Sequence, residues 1–383
     1  MTTIKNNEHK KLNVPNLRFP EFQGEWNSFL INDVCSEFKS GKNIKADSIS
    51  ESGEYPVYGG NGLRGYTSSY NHEGSYVLIG RQGALCGNVR SVYGKTYITE
   101  HAIAVAGNEK SNTNFLHYLF LKMNLGQYSD QSAQPGLAVN KLLKLKVALP
   151  IISEQTKIAK LLSLLDERIA TQNKIIDKLQ SLIKGINQRV FMNNGINYKL
   201  GEVCEIRSGY SGNQLLSKKG LKVSRIETIS GHKVNLERVG YVAPFESSEN
   251  YKLQVGDILF SNINSVEYIG NTAFIDKDYN LYHGMNLLRL TPNNMVVIPF
   301  YLYLLLNTNR MLNRFKTVCN KAVSQASINQ TELGKTVVQI PDINAQKQIC
   351  ELYQALYDKL ESEKYANSLF QKQKQYLLRQ MFI

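Results

Sequence analysis

The side chains best suited to chemistry in this sequence are basic and amide groups in two turn-rich regions. Arginine and lysine can bridge the major-groove edge of guanine and asparagine that of adenine, whereas most basic side chains at such interfaces contact only phosphate. The first region contributes Lys42, Lys45, Asn61, Arg64, Arg81 and Lys95. The second contributes Arg207, Tyr210, Asn213, Lys218, Lys219, Arg225, Asn262 and Asn264. Each could equally be a solvated surface residue, and Arg81, the first choice, could instead brace its turn by bonding backbone carbonyls.

The charge balance favours an anionic partner. Lys and Arg number 45 against 32 Asp and Glu in 383 residues, a formal charge of +13, which favours nucleic acid first and an acidic membrane surface second. The longest apolar stretch, at 296–306, is too short to span a membrane, and no apolar segment near the start indicates a secretory signal. We therefore expect a cytoplasmic protein, and its length predicts two domains.

Sequence motifs for catalysis and metal binding are incomplete. Gly60, Gly62 and Gly65 have the spacing of a dinucleotide fingerprint, but turn-like residues follow where that fingerprint needs a helix, so we predict a tight turn that exposes Asn61 and Arg64. The segment at 94–96 resembles the end of a P-loop, yet its first glycine is missing, and it is interpreted as a hairpin turn. The five cysteines are scattered singly, which disfavours a zinc site and predicts buried thiols. We expect no catalytic residue and no bound metal.

One module occurs twice in the chain. The segment from Leu145 aligns with the segment from Thr336, so that Pro150 falls on Pro341 and Gln155 on Gln346. INDVCSEFKSG (31–41) also resembles LGEVCEIRSG (200–209) if one residue is skipped, and NFLHYLFL (114–121) parallels PFYLYLLL (299–306). The middles, 42–110 and 210–295, match poorly. This pattern indicates a shared scaffold that carries two different recognition surfaces.

Each half enters a long helical stretch after its proline. Apolar residues at steps of three and four predict a heptad seam, with Gln172 as its polar member: Leu162, Leu165, Ile169, Ile176, Leu179, Ile183, Ile186 and Val190. The second helix contributes Leu356, Leu360 and Leu377, but Glu363, Asn367 and Lys374 interrupt its stripe. Some forty residues of helix would span roughly 60 Å. The alternative is that both are ordinary core helices of a larger domain.

These patterns predict an α+β fold with two mostly β recognition domains. Antiparallel packing of the long helices would separate the domains and give pseudo-two-fold symmetry. The predicted segments are a flexible tail at 1–16, a first domain at 17–150, a first spacer helix at 151–193, a second domain at 194–341 and a second spacer helix at 342–383. His101 and His283 lie at similar points of the two repeats, and a structural role is predicted for both.

Several stretches resemble the specificity subunits of Type I restriction-modification systems. YPVYGGNGLRGYT (55–67) is similar to the Tyr-Gly-Gly-Asn-Gly turn of their target-recognition domains, and VLIGRQGALCGNV (77–89) to their Gly-Arg-x-Gly element. GDILFSNINSVEYIGNTAF (256–274) is similar to the latter in a second form. The second domain departs from the pattern, because KVSRIETIS (222–230) stands where the glycine turn is expected. The resemblance covers the chain from about Leu17.

The resemblance implies a non-catalytic DNA-binding subunit. Each recognition domain would read one half of a split double-stranded site, the helices would set the spacer, and the helical regions would dock two adenine methyltransferase subunits. Motor-nuclease subunits would join them. S-adenosylmethionine, ATP and magnesium would lie on these partners, and this chain would bind no cofactor.

Two other functions remain open from the sequence. A self-contained DNA-cleaving or DNA-modifying enzyme is disfavoured because the methyltransferase and P-loop motifs are missing. A purely structural coiled-coil adaptor does not explain why the middles of the repeats differ while their ends agree.

Overall fold

The structure is a computed structural model that describes residues 13–130, 135–191, 195–321 and 325–383. Residues 1–12, most of the predicted flexible tail, lie outside the described residues. None of the helices in these ranges has an apolar stretch long enough to cross a membrane. The chain forms two compact units: the first contains the described residues up to Lys174 together with Lys364–Ile383, and the second contains Ile175–Glu363.

The first unit is built on a six-stranded sheet with one helix packed against it. Its sheet has the order β2-β7-β5-β6-β3-β4, and β1 pairs with β8 beside it. All pairs are antiparallel except β3 with β6. The strands are β1 Asn27–Leu30, β2 Cys35–Ser40, β3 Tyr55–Gly59, β4 Gly62–Thr67, β5 His72–Gly80, β6 Val89–Ile98, β7 Ala102–Gly107 and β8 Lys146–Leu149. The helices are α1 Thr113–Met123, α2 Val139–Leu143 and the first part of α3 Ile152–Val190.

The second unit has a smaller four-stranded sheet, β10-β16-β13-β15, with three additional small sheets. Its strands are β9 Ile196–Lys199, β10 Cys204–Ser208, β11 Leu221–Val223, β12 Gly240–Val242, β13 Ile258–Phe260, β14 Ile263–Asn264, β15 Thr272–Phe274, β16 Leu288–Pro292, β17 Asn320–Lys321, β18 Ala326–Ser327 and β19 Val337–Ile340. Its helices are α4 Leu200–Val203, α5 Pro299–Leu306, α6 Asn309–Val318, α7 Gln330–Gly334 and the first part of α8 Ile343–Gln380. The α+β class is thus confirmed, whereas the predicted domain limits stay predictions.

The sequence repeat has a counterpart in each unit. The pairing of β1 with β8 in the first unit corresponds to that of β9 with β19 in the second. The residue skipped in the alignment is Ser36, because the register of β2 shifts between Cys35 and Glu37, while the equivalent strand β10 pairs without a shift. A β-bulge inserts one residue into one strand without ending the pairing. The skipped residue is therefore a local bulge.

A buried glutamine fixes the start of α3. Gln155 is 0% exposed, and its Oε1 accepts a hydrogen bond from the backbone N–H of Asn112 at 2.8 Å. Its Nε2 donates to the carbonyls of Lys110 at 2.9 Å and Pro150 at 2.8 Å. Because Asn112 caps α1, this one amide joins the start of α1, the end of β8 and the first turn of α3.

The second unit repeats this arrangement around Gln346, which is also 0% exposed. Its Oε1 accepts from the N–H of Ile298 at 2.8 Å. Its Nε2 donates to the carbonyls of Val296 at 3.1 Å and Pro341 at 2.9 Å. Ile298 precedes α5 as Asn112 precedes α1.

These bonds correct one part of the sequence alignment. If Asn112 corresponds to Ile298, then Asn114 corresponds to Phe300 and not to Pro299. The buried faces of α1 and α5 agree with this register, since Phe115 corresponds to Tyr301 and both are at most 2% exposed. Sequence similarity alone aligns the two helices one residue out of register.

The long helices pack antiparallel within each unit. Both are free of proline, and α3 contains one glycine. In the first unit Lys374 bonds Asp166 and Asn367 bonds Asn173 at 2.8 Å, so the contacts move backwards along α8 as they advance along α3. The steps are seven residues on each helix. Two of the polar residues that interrupt the apolar stripe of α8, Asn367 and Lys374, therefore have polar partners on α3.

Within the second unit, the helices meet through apolar and aromatic side chains. Tyr353 is 0% exposed and its hydroxyl donates to Asn187 Oδ1 at 2.6 Å. Ile183 and Leu360 join the same cluster. The predicted seam residues of both helices are buried or half-buried, whereas Leu164, on another face of α3, is 53% exposed.

The residues that follow each long helix continue into a core. In the first unit Phe382 is 3% exposed and stacks on Phe115 with ring centroids 5.1 Å apart. In the second, Phe191 lies 5.4 Å from Tyr301. The repeat thus carries an aromatic side chain to the same position in both cores, although the segment that completes the first unit comes from residues 364–383.

Burial strongly lowers the pKa of two histidines in the described ranges. His283 is 1% exposed and its Nε2 lies 3.0 Å from the carbonyl of Leu287, and its structural role stays a prediction. Burial lowers its pKa to about 4. In α1, burial and then the positive charge of Lys374 lower the pKa of His117 to about 4. His101, in contrast, is exposed and contacts Gln82.

Replacing Gln155 or Gln346 by Met should lower the free energy of unfolding by about 3 kcal/mol, because each change leaves one N–H and two carbonyls without their partner. Gln373→Met, at an exposed position of α8, is the matched control and should be nearly neutral. Urea denaturation of the three variants measures the effect. Equal stability of all three would show that these amides do not hold the helix starts.

Stability should fall as the pH decreases from about 6.5 to about 4. The folded state keeps His117 and His283 neutral, whereas the unfolded chain takes up protons below its ordinary histidine pKa of about 6.5. Each residue accounts for roughly 3 kcal/mol over this range. Thermal unfolding followed across pH should lose part of this dependence in His117→Phe. His101→Gln should retain it fully, and an unchanged profile in His117→Phe would contradict the assignment.

Candidate nucleic-acid interface

Two glycine-containing turns of the first unit lie against each other. Strands β3 and β4 form a hairpin connected by Gly60 and Asn61, so the predicted tight turn is confirmed. A Cβ atom on Gly60 would lie 2.6 Å from the carbonyl of His101, and one on Gly80 would lie 2.9 Å from the carbonyl of Gly60. Only glycine permits such close backbone approach. The motif at 55–67 is therefore held beside the motif at 77–89.

Three arginines lie around these turns. An ideal Cβ at Gly59 would be 2.9 Å from Arg64 Cδ, and one at Gly62 would be 3.0 Å from the guanidinium carbon of Arg90. Arg81 follows Gly80 directly. None of the three guanidinium groups bonds or pairs with a side chain or carbonyl in the described ranges. They are therefore available to an external anion or base edge.

The backbone of Arg81, not its side chain, braces the turn. Its N–H donates to the carbonyl of His101 at 2.9 Å, and its carbonyl accepts from the N–H of Leu137 at 2.9 Å. The side chain is half-buried. Arg90 was missed from the sequence, although it immediately follows the quoted motif at 77–89 and is exposed on β6.

The other candidates of the first unit are lysines. Lys42 and Lys45 are exposed after β2. Lys95 does not lie in a hairpin turn, as the P-loop-like segment had suggested, but within β6 opposite Glu73. Its ammonium lies 4.9 Å from the ring centroid of Tyr70, a distance at which a cation is attracted to an aromatic face. The β-prone residues on both sides of Gly94 continue the strand through it.

Several candidates of the second unit are engaged within the chain. Arg207 pairs with Glu205 at 2.6 Å, and Arg225 lies 3.6 Å from Glu227. Tyr210 stacks on Phe245 with ring centroids 4.0 Å apart, so its ring contributes to a local apolar cluster.

Of the amide and lysine candidates of the second unit, some bond within the chain and others do not. Asn264 bonds Ser261 Oγ and the N–H of Ser265, whereas the buried Oδ1 of Asn262 has no partner in the described part of the chain. Asn213, Lys218 and Lys219 are exposed and bond no side chain there. Of the second set, these three are the most available to an external ligand.

The thiols and acids form no metal-binding arrangement in the described ranges, since no group of three His, Cys, Asp or Glu side chains converges there. All five cysteines are free thiols, and only Cys204 and Cys319 are fully buried. Burial raises the pKa of Cys204 to about 12, which keeps this thiol neutral at physiological pH.

Comparison with known proteins connects this chain to a family. The family model described as "Type I restriction modification DNA specificity domain" matches residues 23–181 and 195–368. The Type I restriction enzyme EcoprrI specificity subunit of Escherichia coli is 42% identical over 154 residues, which are 39% of this chain and 38% of that protein. The chain thus spans less than two fifths of that relative.

Two further similarities extend over more of the chain. The Type I restriction enzyme MjaVIII specificity subunit of Methanocaldococcus jannaschii is 24% identical over 295 residues, 68% of each chain. The crystal structure of a Type-I restriction-modification system S subunit from M. genitalium has the same fold, with a TM-score of 0.68 and 17% identity over 97% of this chain and 99% of that one. Because the family model matches both halves of the repeat, this chain belongs to the Type I restriction modification DNA specificity domain family.

Proposed function

We propose that this chain is the subunit of a Type I restriction-modification complex that reads the DNA sequence, and that each unit recognises one half of a divided site. One contrast within the repeat supports this assignment. The glutamine contacts, the β1–β8 and β9–β19 pairs and the long helices recur in both halves. The turns that carry exposed basic and amide side chains do not. A constant scaffold with two different polar surfaces suits the reading of two different half-sites.

The partners are two adenine methyltransferase subunits and the motor-nuclease subunits. S-adenosylmethionine, ATP and magnesium would be bound by those partners, and this chain would act without a catalytic site of its own in the cytoplasm. The competing assignment, a self-contained DNA-modifying or DNA-cleaving enzyme, would be favoured if the purified chain methylated or cut DNA alone.

In this proposal, the first unit approaches DNA with Asn61, Arg64, Arg81 and Arg90. An arginine fork can bond guanine O6 and N7, and an asparagine amide can bond adenine N6 and N7. Close glycine contacts fix the backbone beneath these side chains, so less conformational entropy is lost on binding. Arginines that meet phosphate would instead contribute affinity without sequence preference.

The function is tested by co-expressing the chain with the adenine methyltransferase encoded beside its gene and mapping methylated adenines across a genome. A split motif with a fixed gap is expected. A continuous motif, or no methylation by a well-formed complex, would contradict the proposal.

Replacing Arg81 by Ala should relax base preference in one half-site only, with a loss of about 1–3 kcal/mol of discrimination if the side chain reads a base. Methylation of DNA libraries randomised in each half-site measures this. Lys144→Ala is the control, because it removes one exposed charge from the scaffold shared by both repeats. Relaxation at both half-sites would contradict independent reading by two units.

Lengthening both helices by one heptad, after Lys174 in α3 and after Glu363 in α8, should lengthen the permitted spacer. Seven residues add about 10 Å of helix, the rise of about three base pairs. Both insertions lie outside the Asp166–Lys374 and Asn173–Asn367 pairs, so those contacts persist. Methylome mapping should return the same half-sites with a wider gap, and altered half-sites would overturn the idea that the helices measure the spacer.

A further inference from the structure

A polar cavity of about 320 Å³ lies in the second unit, beside the edge of the β10–β16 pair. Arg207 and Arg289 line it together with Ser208, Asn250 and Gln330. The remaining lining residues in the described ranges are also neutral or aromatic, and none of them is a carboxylate. A concave site with two guanidinium groups and several neutral hydrogen-bonding groups has the composition of an oxyanion site.

Arg289 is the unusual member of this cavity. It lies in β16 and is only 7% exposed. Its Nη1 donates to the carbonyl of Lys252 at 3.2 Å, while its Nε is buried and has no partner in the described part of the chain. No carboxylate in those ranges lies within ion-pair distance of it. Burying a cation is costly unless a counter-charge is supplied, so an external anion would complete this site.

Arg207 places a second guanidinium group on the same face. It stands opposite Arg289 in the antiparallel register of β10 and β16, and directly opposed residues project to the same side of a sheet. Its Nε bonds Glu205 at 2.6 Å, but its two Nη groups bond no other described residue. Its side chain is 50% exposed. Arg207 therefore lies on the solvent side, and Arg289 lies deeper.

The cavity does not belong to the shared scaffold. In the first unit, the equivalent cross-strand pair is Lys39 with Ala104. Ala104 is 0% exposed and packs with Leu78 and Val92 in an apolar cluster. The buried arginine is thus specific to the second unit and lies in the part of the repeat that diverges.

We propose that the cavity around Arg289 binds a phosphate group of the DNA backbone and thereby fixes the position of the second unit on its half-site. The inference rests on the proposed function and names one point of contact within it. A DNA phosphate suits the site because a single tetrahedral oxyanion can accept bonds from the guanidinium groups of Arg289 and Arg207 together. Such a contact positions the protein but carries no sequence information.

The first experiment measures thermal unfolding of the full chain in inorganic phosphate and in chloride at equal ionic strength. The wild-type midpoint should rise saturably with phosphate. Arg289→Met should abolish this rise, and its midpoint without phosphate should be no lower than that of the wild type, because an unpaired buried charge is removed. If Arg289 only bonds the carbonyl of Lys252, the variant would instead be less stable with and without phosphate, which would overturn the proposal.

A second variant tests the site without the change in side-chain volume that Arg289→Met brings. Asn250→Asp places a carboxylate in the cavity with almost no change in shape, and it should also abolish the response to phosphate. Asn313→Asp, at an exposed position of α6, is the matched control and should retain it. Loss of the response in Asn313→Asp as well would show that only net charge matters and would refute a built site.

The second experiment identifies the source of the phosphate. The affinity of the methyltransferase-assembled chain for its duplex is measured at several salt concentrations. Arg289→Met should reduce the slope of log K against log salt by about one and the affinity at 0.1 M salt roughly eightfold, with unchanged base preference. If the slope is unchanged and methylation stays sequence-specific, the phosphate contact is rejected and the proposed function stands. A wild-type complex without sequence preference would reject the proposed function itself.

Discussion

The two long helices depend on one buried amide at the start of each. The backbone groups at this corner are buried or partly buried, and leaving buried groups unpaired costs more than a typical hydrogen bond contributes. Gln155 and Gln346 satisfy one N–H and two carbonyls each. Because those groups belong to a helix cap and a strand end, the direction in which each long helix leaves its sheet is fixed by side-chain chemistry. A fixed corner of this kind is what the proposed use of the helices as a spacer requires.

Polar residues in the helix seam have a different role from the apolar ones. Lys374 and Asp166 form a half-buried ion pair, and the hydroxyl of Tyr118 also donates to Asp166 at 2.9 Å. Such pairs contribute modestly to stability. A shift of one heptad would, however, break both pairs: in one direction it places Asp166 opposite Met381, and in the other it places Lys374 opposite Ala159. The seam therefore combines apolar burial, which holds the helices together, with polar pairs that select one alignment.

Much of the scaffold could be predicted from sequence because periodicity and repetition report on it directly. The heptads of α3, the α+β class and the turn at Asn61 follow from local patterns. Local patterns failed where tertiary contacts decide. The correct alignment of α5 with its counterpart α1 follows from the contacts of Gln346. Lys95 lies in a strand that continues through a glycine. Arg289 is an ordinary strand residue whose burial depends on the fold around it. No sequence motif marks a side chain that lacks a counter-charge.

The placement of Phe382 in the core of the first unit has a consequence for synthesis on the ribosome. Leu378, Met381 and Phe382 complete that core, yet they are translated after the whole of the second unit. The second unit consists of the uninterrupted stretch Ile175–Glu363. Domains generally fold as units as they emerge, so the second unit can close its core while the first still waits for its final segment. The first unit would then complete its fold after the second unit, although most of the first unit is translated earlier.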